Sequence, residues 1–129
     1  AISMSRLPCS SSSPEISNRR PKIDPARVLI DHVEEHTVGE VLDRGYWAGM
    51  TLYPESKFTA PRAADIYDRF GPERLIVDSS ADWGISDPLS VPKLAAEMRR
   101  RGVNDEAIDR FIYQNPHQFL SQCPKFNID

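Results

Sequence analysis

The chain has 129 residues and a mass of 14.6 kDa, which is the size of about one domain. Hydrophobic residues make up 40% and charged residues 27%, a composition that excludes an intrinsically disordered chain. The net charge of −3 and the pI of about 5.6 provide no basic excess, so we expect no strong nucleic-acid footprint. The longest apolar runs are a few residues, so we also expect no membrane span.

Residues 1–25 differ in composition from the rest of the chain. They contain a serine run from Ser10 to Ser13, several prolines and a basic cluster at Arg19, Arg20 and Lys22, without apolar periodicity. We therefore expect a flexible Ser/Pro-rich leader here, followed by one domain over residues 26–126. An alternative for the leader is the remnant of a Ser- and Arg-rich organelle transit peptide. We expect a cytoplasmic protein, or one imported into an organelle if the leader is such a peptide.

After residue 25, short β-branched runs alternate with segments of helical periodicity. Strands are predicted at residues 27–32, 46–53 and 74–78, and helices at residues 37–44, 59–70, 90–101, 106–113 and 115–120. Thr37 and Glu40 predict a capping box at the first helix, and Asn115 is predicted to cap the last helix before Pro116. The order β-α-β-α-β-α-α-α predicts an α/β fold built from parallel βαβ units.

Polar and titratable residues follow each predicted strand, and they include Asp31, His32, Glu34, Thr51, Tyr53, Asp78 and Asp82. Ligands bind at the carboxyl ends of the strands in parallel α/β folds. A histidine at the end of a buried strand suits a metal ligand or a general base, and a hydrogen-bonded structural histidine is the alternative. An aspartate just past a barrel strand can bind a metal and take a proton from the water that the metal activates.

The five residues from His32 to His36 match H-x-x-E-H, the inverted zincin pattern. The zincin mechanism needs both histidines one turn apart on a helix. Here a strand runs into His32 and the predicted helix starts at Thr37, so His36 lies before the helix. We therefore expect no zincin site, with His36 as a loop residue in solvent.

Three segments taken together resemble one known family: VLIDHVEEHT at residues 28–37, YWAGMTLYP at 46–54 and DSSADWGISDPL at 78–89. With the closing Asn115-Pro116 pair, they are similar to the C-terminal part of TatD-like metal-dependent hydrolases of the amidohydrolase superfamily. The resemblance covers about residues 25–126. It implies the last three strands of a (β/α)8 TIM barrel, which would be incomplete in this chain.

The resemblance also implies a divalent metal ion (zinc, manganese or magnesium) and hydrolysis of a small-molecule or phosphoester substrate. It carries His32 over as the metal ligand of the sixth strand. It carries Asp82 over as the aspartate of the eighth strand, which binds the metal and serves as the base. Asp78 is the second choice for that aspartate, and Glu34 is a candidate carboxylate partner of the metal site.

Several features of the family have no counterpart in this sequence: the His-x-His pair of the first strand, the mid-barrel acidic ligand and the fifth-strand histidine. A complete barrel needs about 200–250 residues. We therefore expect a fragment or truncated form that is inactive alone, with an open sheet face around Trp47, Gly49 and Met50. Such a face would bind a second copy or a complementing barrel half. The alternative is a non-catalytic α/β interaction module that associates through this face.

Overall fold

The computed structural model describes residues 22–55, 57–81 and 84–128. In this part of the chain, strands and helices alternate in the predicted order. The strands are β1 (Leu29–Ile30), β2 (Trp47–Leu52) and β3 (Leu75–Ser79), and the helices are α1 (Val38–Asp43), α2 (Ala60–Phe70), α3 (Ser90–Arg100), α4 (Asp105–Asp109) and α5 (Asn115–Leu120). A 3-10 turn at Pro25–Arg27 precedes β1, and a π-helical turn at Arg110–Gln114 joins α4 to α5.

The three strands form one parallel sheet in the order β1-β2-β3. Leu29 lies beside Trp47 in the first strand pair, and Thr51 lies beside Asp78 in the second. Each strand is followed by a helix, and strands that follow one another in sequence are neighbours in the sheet. The α/β prediction with parallel βαβ units is confirmed, and the arrangement is consistent with part of a TIM-barrel-like fold.

One face of the sheet packs against the helices. Its strand residues are Ala48, Met50, Leu52, Leu75 and Val77, and the helices contribute Ile66, Leu94, Met98 and Phe111 among others. Side chains alternate between the two faces of a strand, so the Met50 side chain points to the helices. The Thr51 side chain points to the other face, which is also the face on which a side chain at Gly49 would lie. The expectation that Met50 lies on an open face is therefore wrong, because its side chain is completely buried in the main core.

The other face of the sheet is covered at the amino-terminal end of its strands. Trp47 is 4% exposed and Ile76 is 8% exposed, so neither forms the open apolar face that the sequence led us to expect. The Trp47 indole Nε1 donates to the Ala26 carbonyl at 2.9 Å, and its ring meets Phe119 edge-on with centroids 5.7 Å apart. The 3-10 turn and α5 therefore close this end of the face.

Two predicted helix caps are wrong. The Thr37 hydroxyl accepts from the Glu34 amide at 2.9 Å instead of capping α1, because the chain makes a turn before the helix begins at Val38. Asn115 continues a helix that runs on from the π turn, so it does not restart the chain. Its buried side-chain amide donates to the carbonyls of Pro72 (2.6 Å) and Leu75 (2.8 Å) at the start of β3.

Among the described residues, no helix combines the length and the apolar character needed to cross a membrane. The predicted leader over residues 1–25 lies almost wholly outside the described residues, since the description begins at Lys22. The boundaries of the proposed domain over residues 26–126 stay a prediction.

Candidate functional site

The carboxyl edge of the sheet gathers side chains from all three strands. Asp31 and His32 directly follow β1, Thr51 and Tyr53 lie at the end of β2, and Asp78 lies near the end of β3. The Thr51 and Asp78 positions are direct neighbours across the β2–β3 pair, and residues paired in this way point to the same face. The parallel topology therefore brings together residues of different strands that are 19 to 47 positions apart in the sequence.

The His32 imidazole has a contact at each ring nitrogen. Its Nδ1 lies 3.0 Å from Oδ2 of Asp31, and its Nε2 lies 3.3 Å from the Tyr53 hydroxyl. The His32 and Asp31 side chains are 55% and 47% exposed, so the pair lies at the surface of the edge. The imidazole is thus oriented by two side chains and remains accessible to a ligand.

The Asp31 carboxylate lies over β2. Its Oδ1 accepts from the Thr51 hydroxyl at 3.2 Å and from the His32 backbone amide at 2.8 Å. The space it occupies exists because residue 49 is glycine: a Cβ at Gly49 would lie 2.8 Å from Oδ1, closer than real Cβ contacts allow. The glycine in β2 therefore makes room for the carboxylate.

The His32 backbone is left-handed, with φ at +57°. This conformation is uncommon for a residue other than glycine, and it persists where surrounding contacts hold it. The short bond from the His32 amide to Asp31 is one such contact. Arg74, which precedes β3 at the opposite edge of the sheet, has the same φ of +57°, so this conformation by itself does not mark a functional site.

The Thr51 side chain forms hydrogen bonds with both Asp31 and Asp78. Loss of solvation is the largest influence on the Asp78 carboxyl and raises its pKa above the ordinary value, although the residue as a whole is exposed. The hydrogen bond with Thr51 lowers that pKa in part, and the nearby Asp31 charge raises it further. A carboxyl whose pKa is raised at the edge of a parallel sheet is a candidate acid or base.

Glu34, a predicted partner of the metal site, lies elsewhere. Glu34 and Glu35 both contact Arg62 on α2, Glu34 at 3.4 Å and Glu35 through two bonds of 2.6 Å. The bidentate bonds from Arg62 lower the pKa of Glu35 below its ordinary value. Among the described residues, no hydrogen bond or ion pair joins Glu34 to His32, and the bonds with Arg62 tie the loop after β1 to α2.

The arrangement agrees with the expectation that H-x-x-E-H is not a zincin motif here. His32 lies at the end of the β1 segment, His36 is exposed in a turn, and α1 begins only at Val38. The two histidines therefore do not share a helix face, as the zincin mechanism requires.

Asp82, the predicted metal ligand and base, lies outside the described residues. Among the residues that are described, no group of three or more His, Cys, Asp or Glu side chains could together hold a metal ion. His32 and Asp78 have donor atoms of the right kind, but a catalytic zinc site takes three protein ligands. The described residues by themselves therefore do not fit a metal ion.

Asp31 is one of the polar residues that follow β1 in the sequence, but it was not predicted to be a site residue. Two local signals point to it: an aspartate next to a histidine at a strand end, and a glycine inside the neighbouring strand, which can mark close approach of another group. The hydroxyl of Tyr53 was likewise not selected, because its distance to His32 depends on the sheet register.

Two curated proteins are similar to this chain. An uncharacterized metal-dependent hydrolase of Methanocaldococcus jannaschii is 31% identical over 98 residues, which cover 76% of this chain and 38% of that protein. An aryldialkylphosphatase of Saccharolobus solfataricus is 26% identical in an alignment of length 125 that covers 77% of this chain and 40% of that protein. The chain thus spans about two fifths of the length of these relatives. No family model and no solved structure matches it.

These similarities extend over about three quarters of the chain, at low identity, and relate it to proteins named as a metal-dependent hydrolase and a phosphatase. The coarse part of the sequence-based resemblance, a link to metal-dependent hydrolases, is thereby supported. Assignment to the TatD-like group does not follow from them.

Proposed function

We propose that residues 26–126 are part of a TatD-like divalent-metal-dependent hydrolase domain and correspond to the last three strands of its (β/α)8 barrel. The observation that carries this proposal is the meeting of Asp31, His32, Thr51 and Asp78 at the carboxyl edge of three parallel strands. Active sites of such barrels lie at this edge. The similarity to a protein named as a metal-dependent hydrolase supports the same function.

In this proposal His32 and Asp82 would hold the metal ion, and Asp82 would also be the base, with Asp78 as the alternative to Asp82. A divalent ion held there would supply a nucleophilic water and polarise the substrate. Small molecules and phosphoesters are the proposed substrates. Since the described residues offer fewer than three clustered ligands, we propose that the 129-residue chain alone binds metal weakly and does not turn over substrate.

The first test measures zinc and manganese binding to the 129-residue chain by titration calorimetry. His32→Asn keeps a residue type that tolerates the left-handed backbone and removes the imidazole. The matched control is His36→Asn, four residues further along in an exposed turn. We expect weak binding by the parent chain, at least a tenfold loss in the His32 variant and no change in the His36 variant. Equal effects of the two substitutions would contradict the role of His32.

The second test measures turnover. The purified chain is assayed with zinc and manganese on phosphotriester, phosphodiester and amide substrates, and we expect rates no higher than those of the metal in buffer. Robust turnover that His32→Asn abolishes would contradict an incomplete site while supporting the hydrolase assignment. Turnover that survives this substitution would contradict both parts of the proposal.

A second candidate, association through the sheet, has support from one observation. Within the described residues, β1 and β3 are the edge strands of the sheet, and Ile30 of β1 is 38% exposed. Unpaired strand edges are templates for pairing with another chain. We propose that a second copy or a complementing barrel half pairs there. Light scattering over a concentration series tests self-association, and a stable monomer at all concentrations would argue against an open barrel edge.

A further inference from the structure

Three contacts on Asp31 determine where protons lie at this edge. Its Oδ1 receives the His32 amide at 2.8 Å and the Thr51 hydroxyl at 3.2 Å, and its Oδ2 lies 3.0 Å from His32 Nδ1. An ionised carboxylate can only accept hydrogen bonds, so the imidazole must donate from Nδ1. A neutral imidazole carries one proton, so Nε2 then has the lone pair and accepts from the Tyr53 hydroxyl at 3.3 Å.

We propose that Asp31 is a positioning residue that holds neutral His32 in the Nδ1–H tautomer and presents the Nε2 lone pair at the carboxyl edge of the sheet. The hydrogen bonds then run in one direction, from Tyr53 through the imidazole to Asp31. Thr51, on the neighbouring strand, donates to the same carboxylate from the other side.

The Asp31–His32 pair lies at the surface, where water competes for each of its hydrogen bonds. The carboxylate keeps its place because its other oxygen is bonded to β2 through Thr51 and to the His32 backbone amide. Gly49 leaves the space in which this carboxylate lies. Asp31, which follows β1, and Thr51 and Gly49 of β2 therefore together fix the orientation of the His32 imidazole.

The tautomer determines what His32 can do. With Nδ1 protonated, Nε2 can act as a metal donor or a base, once a ligand displaces the Tyr53 hydroxyl. That use of Nε2 rests on the proposed function. The tautomer itself does not rest on it, because it follows from contacts within this chain.

The test records long-range ¹H–¹⁵N spectra of the ¹⁵N-histidine-labelled 129-residue chain without metal. The pH is about 8.5, about two units above the ordinary histidine pKa. The chain has three histidines, and single Asn variants assign their ring signals. Free histidine in water prefers the Nε2–H form. We expect His32 to show the reverse, with the Nδ1–H form as the major one. A major Nε2–H form in the unmodified chain would overturn the proposal.

Two variants test the cause of this preference. Asp31→Ala should return His32 to the Nε2–H preference, and Thr51→Val should reduce the excess of Nδ1–H without abolishing it. The control Asp43→Ala removes an exposed carboxylate from the end of α1 and should leave the tautomer unchanged. An unchanged tautomer in a folded Asp31 variant would overturn the role of Asp31.

The tautomer test and the metal-binding test of the proposed function can fail independently of each other. An Nδ1–H tautomer in a chain whose metal binding ignores His32→Asn would support the role of Asp31 and contradict the metal site. Metal binding that depends on His32, in a chain whose His32 has the Nε2–H tautomer, would support the metal site and contradict the role of Asp31.

Discussion

The two edges of the sheet use polar side chains in different ways. At the amino-terminal edge, polar side chains bond to main-chain carbonyls: Asn115 to Pro72 and Leu75, Arg74 to Leu42 at 2.9 Å, and Trp47 to Ala26. At the carboxyl edge, the side chains of Asp31, His32, Thr51 and Tyr53 bond to one another, while Ser79 at the end of β3 donates to a main-chain carbonyl, that of Pro88 at 3.3 Å.

The two kinds of hydrogen bond differ in what can replace them. A main-chain carbonyl is neutral, cannot titrate and is fixed by the fold, so the bonds that these side chains make to it hold the elements together. Side-chain partners can change protonation or rotate away, so a ligand can replace them. Stability at the amino-terminal face and ligand binding at the carboxyl face are also the general division in parallel α/β barrels.

The largest expected effect is at the amino-terminal edge. Asn115→Ala removes the donor to two carbonyls at the start of β3, and an unsatisfied buried polar group costs about 1–3 kcal/mol. We expect the free energy of unfolding in urea to fall by about 3 kcal/mol, while the His32 tautomer stays unchanged in the folded protein.

The matched control is Asn104→Ala, which removes an exposed helix cap whose oxygen accepts from the Ala107 amide at 2.8 Å. Such a cap is worth about 1 kcal/mol. If the two asparagine variants lost the same free energy of unfolding, burial of Asn115 at the amino-terminal edge would add nothing to the stability that its hydrogen bonds provide.

A smaller effect is expected where β2 meets the carboxylate. Gly49→Ala places a methyl group 2.8 Å from the Asp31 Oδ1 and 3.3 Å from its Cα, so the carboxylate must move. Overpacking of this kind costs about 1–3 kcal/mol, and we expect about 2 kcal/mol in urea unfolding. The His32 tautomer preference should weaken at the same time.

Gly39→Ala is the control for Gly49→Ala. Gly39 lies in α1, and an added Cβ would be 3.5 Å from the Phe70 ring, an ordinary contact. Because alanine is favoured over glycine in helices by about 0.5–1 kcal/mol, this variant should be more stable than the parent. If both variants lost stability equally, the close approach of Asp31 to β2 would not be the cause.

The smallest effect concerns a carboxylate near the carboxyl edge that has a structural partner. Arg62 lowers the Glu35 pKa from its ordinary value of 4.5, so the ion pair stabilises the fold above that pH. This stabilisation is lost as the pH falls through the lowered pKa, because the folded protein must then take up the proton. Glu35→Gln should cost at most about 1 kcal/mol at pH 7, since the pair is partly exposed.

The measurement for Glu35→Gln is thermal unfolding from pH 7 down to about pH 3, where the difference from the parent chain should shrink. Glu34→Gln is the control, because its single contact with Arg62 is 3.4 Å long and should contribute less. A difference that grew as the pH fell would contradict the ion pair as its source.

Much of the fold could be predicted from local patterns. β2 was predicted at residues 46–53 and runs from Trp47 to Leu52, and α2 was predicted to end before Gly71, as it does. Apolar periodicity and breaker residues act over a few positions, so the sequence reveals them directly. The same patterns predicted that polar residues meet at the carboxyl edge, because parallel strands bring those ends together.

The partners of individual side chains could not be predicted in the same way. Asp31 and Glu34 are both close to His32 in sequence, yet Asp31 contacts its ring and Glu34 contacts Arg62, 28 positions further along. The left-handed turn at His32 redirects the chain after β1, and no local periodicity encodes that change of direction. Asn115 was similarly predicted to cap a helix, whereas its partners lie 40 or more residues earlier.

The sequence by itself thus determined the types of the elements, their order and the edge at which chemistry is expected, because propensity and periodicity are local properties. The tertiary structure decided which carboxylate orients His32 and which only anchors a loop. That choice depends on distances between strands and helices, and those distances exist only once the sheet register and the packing of α2 are set.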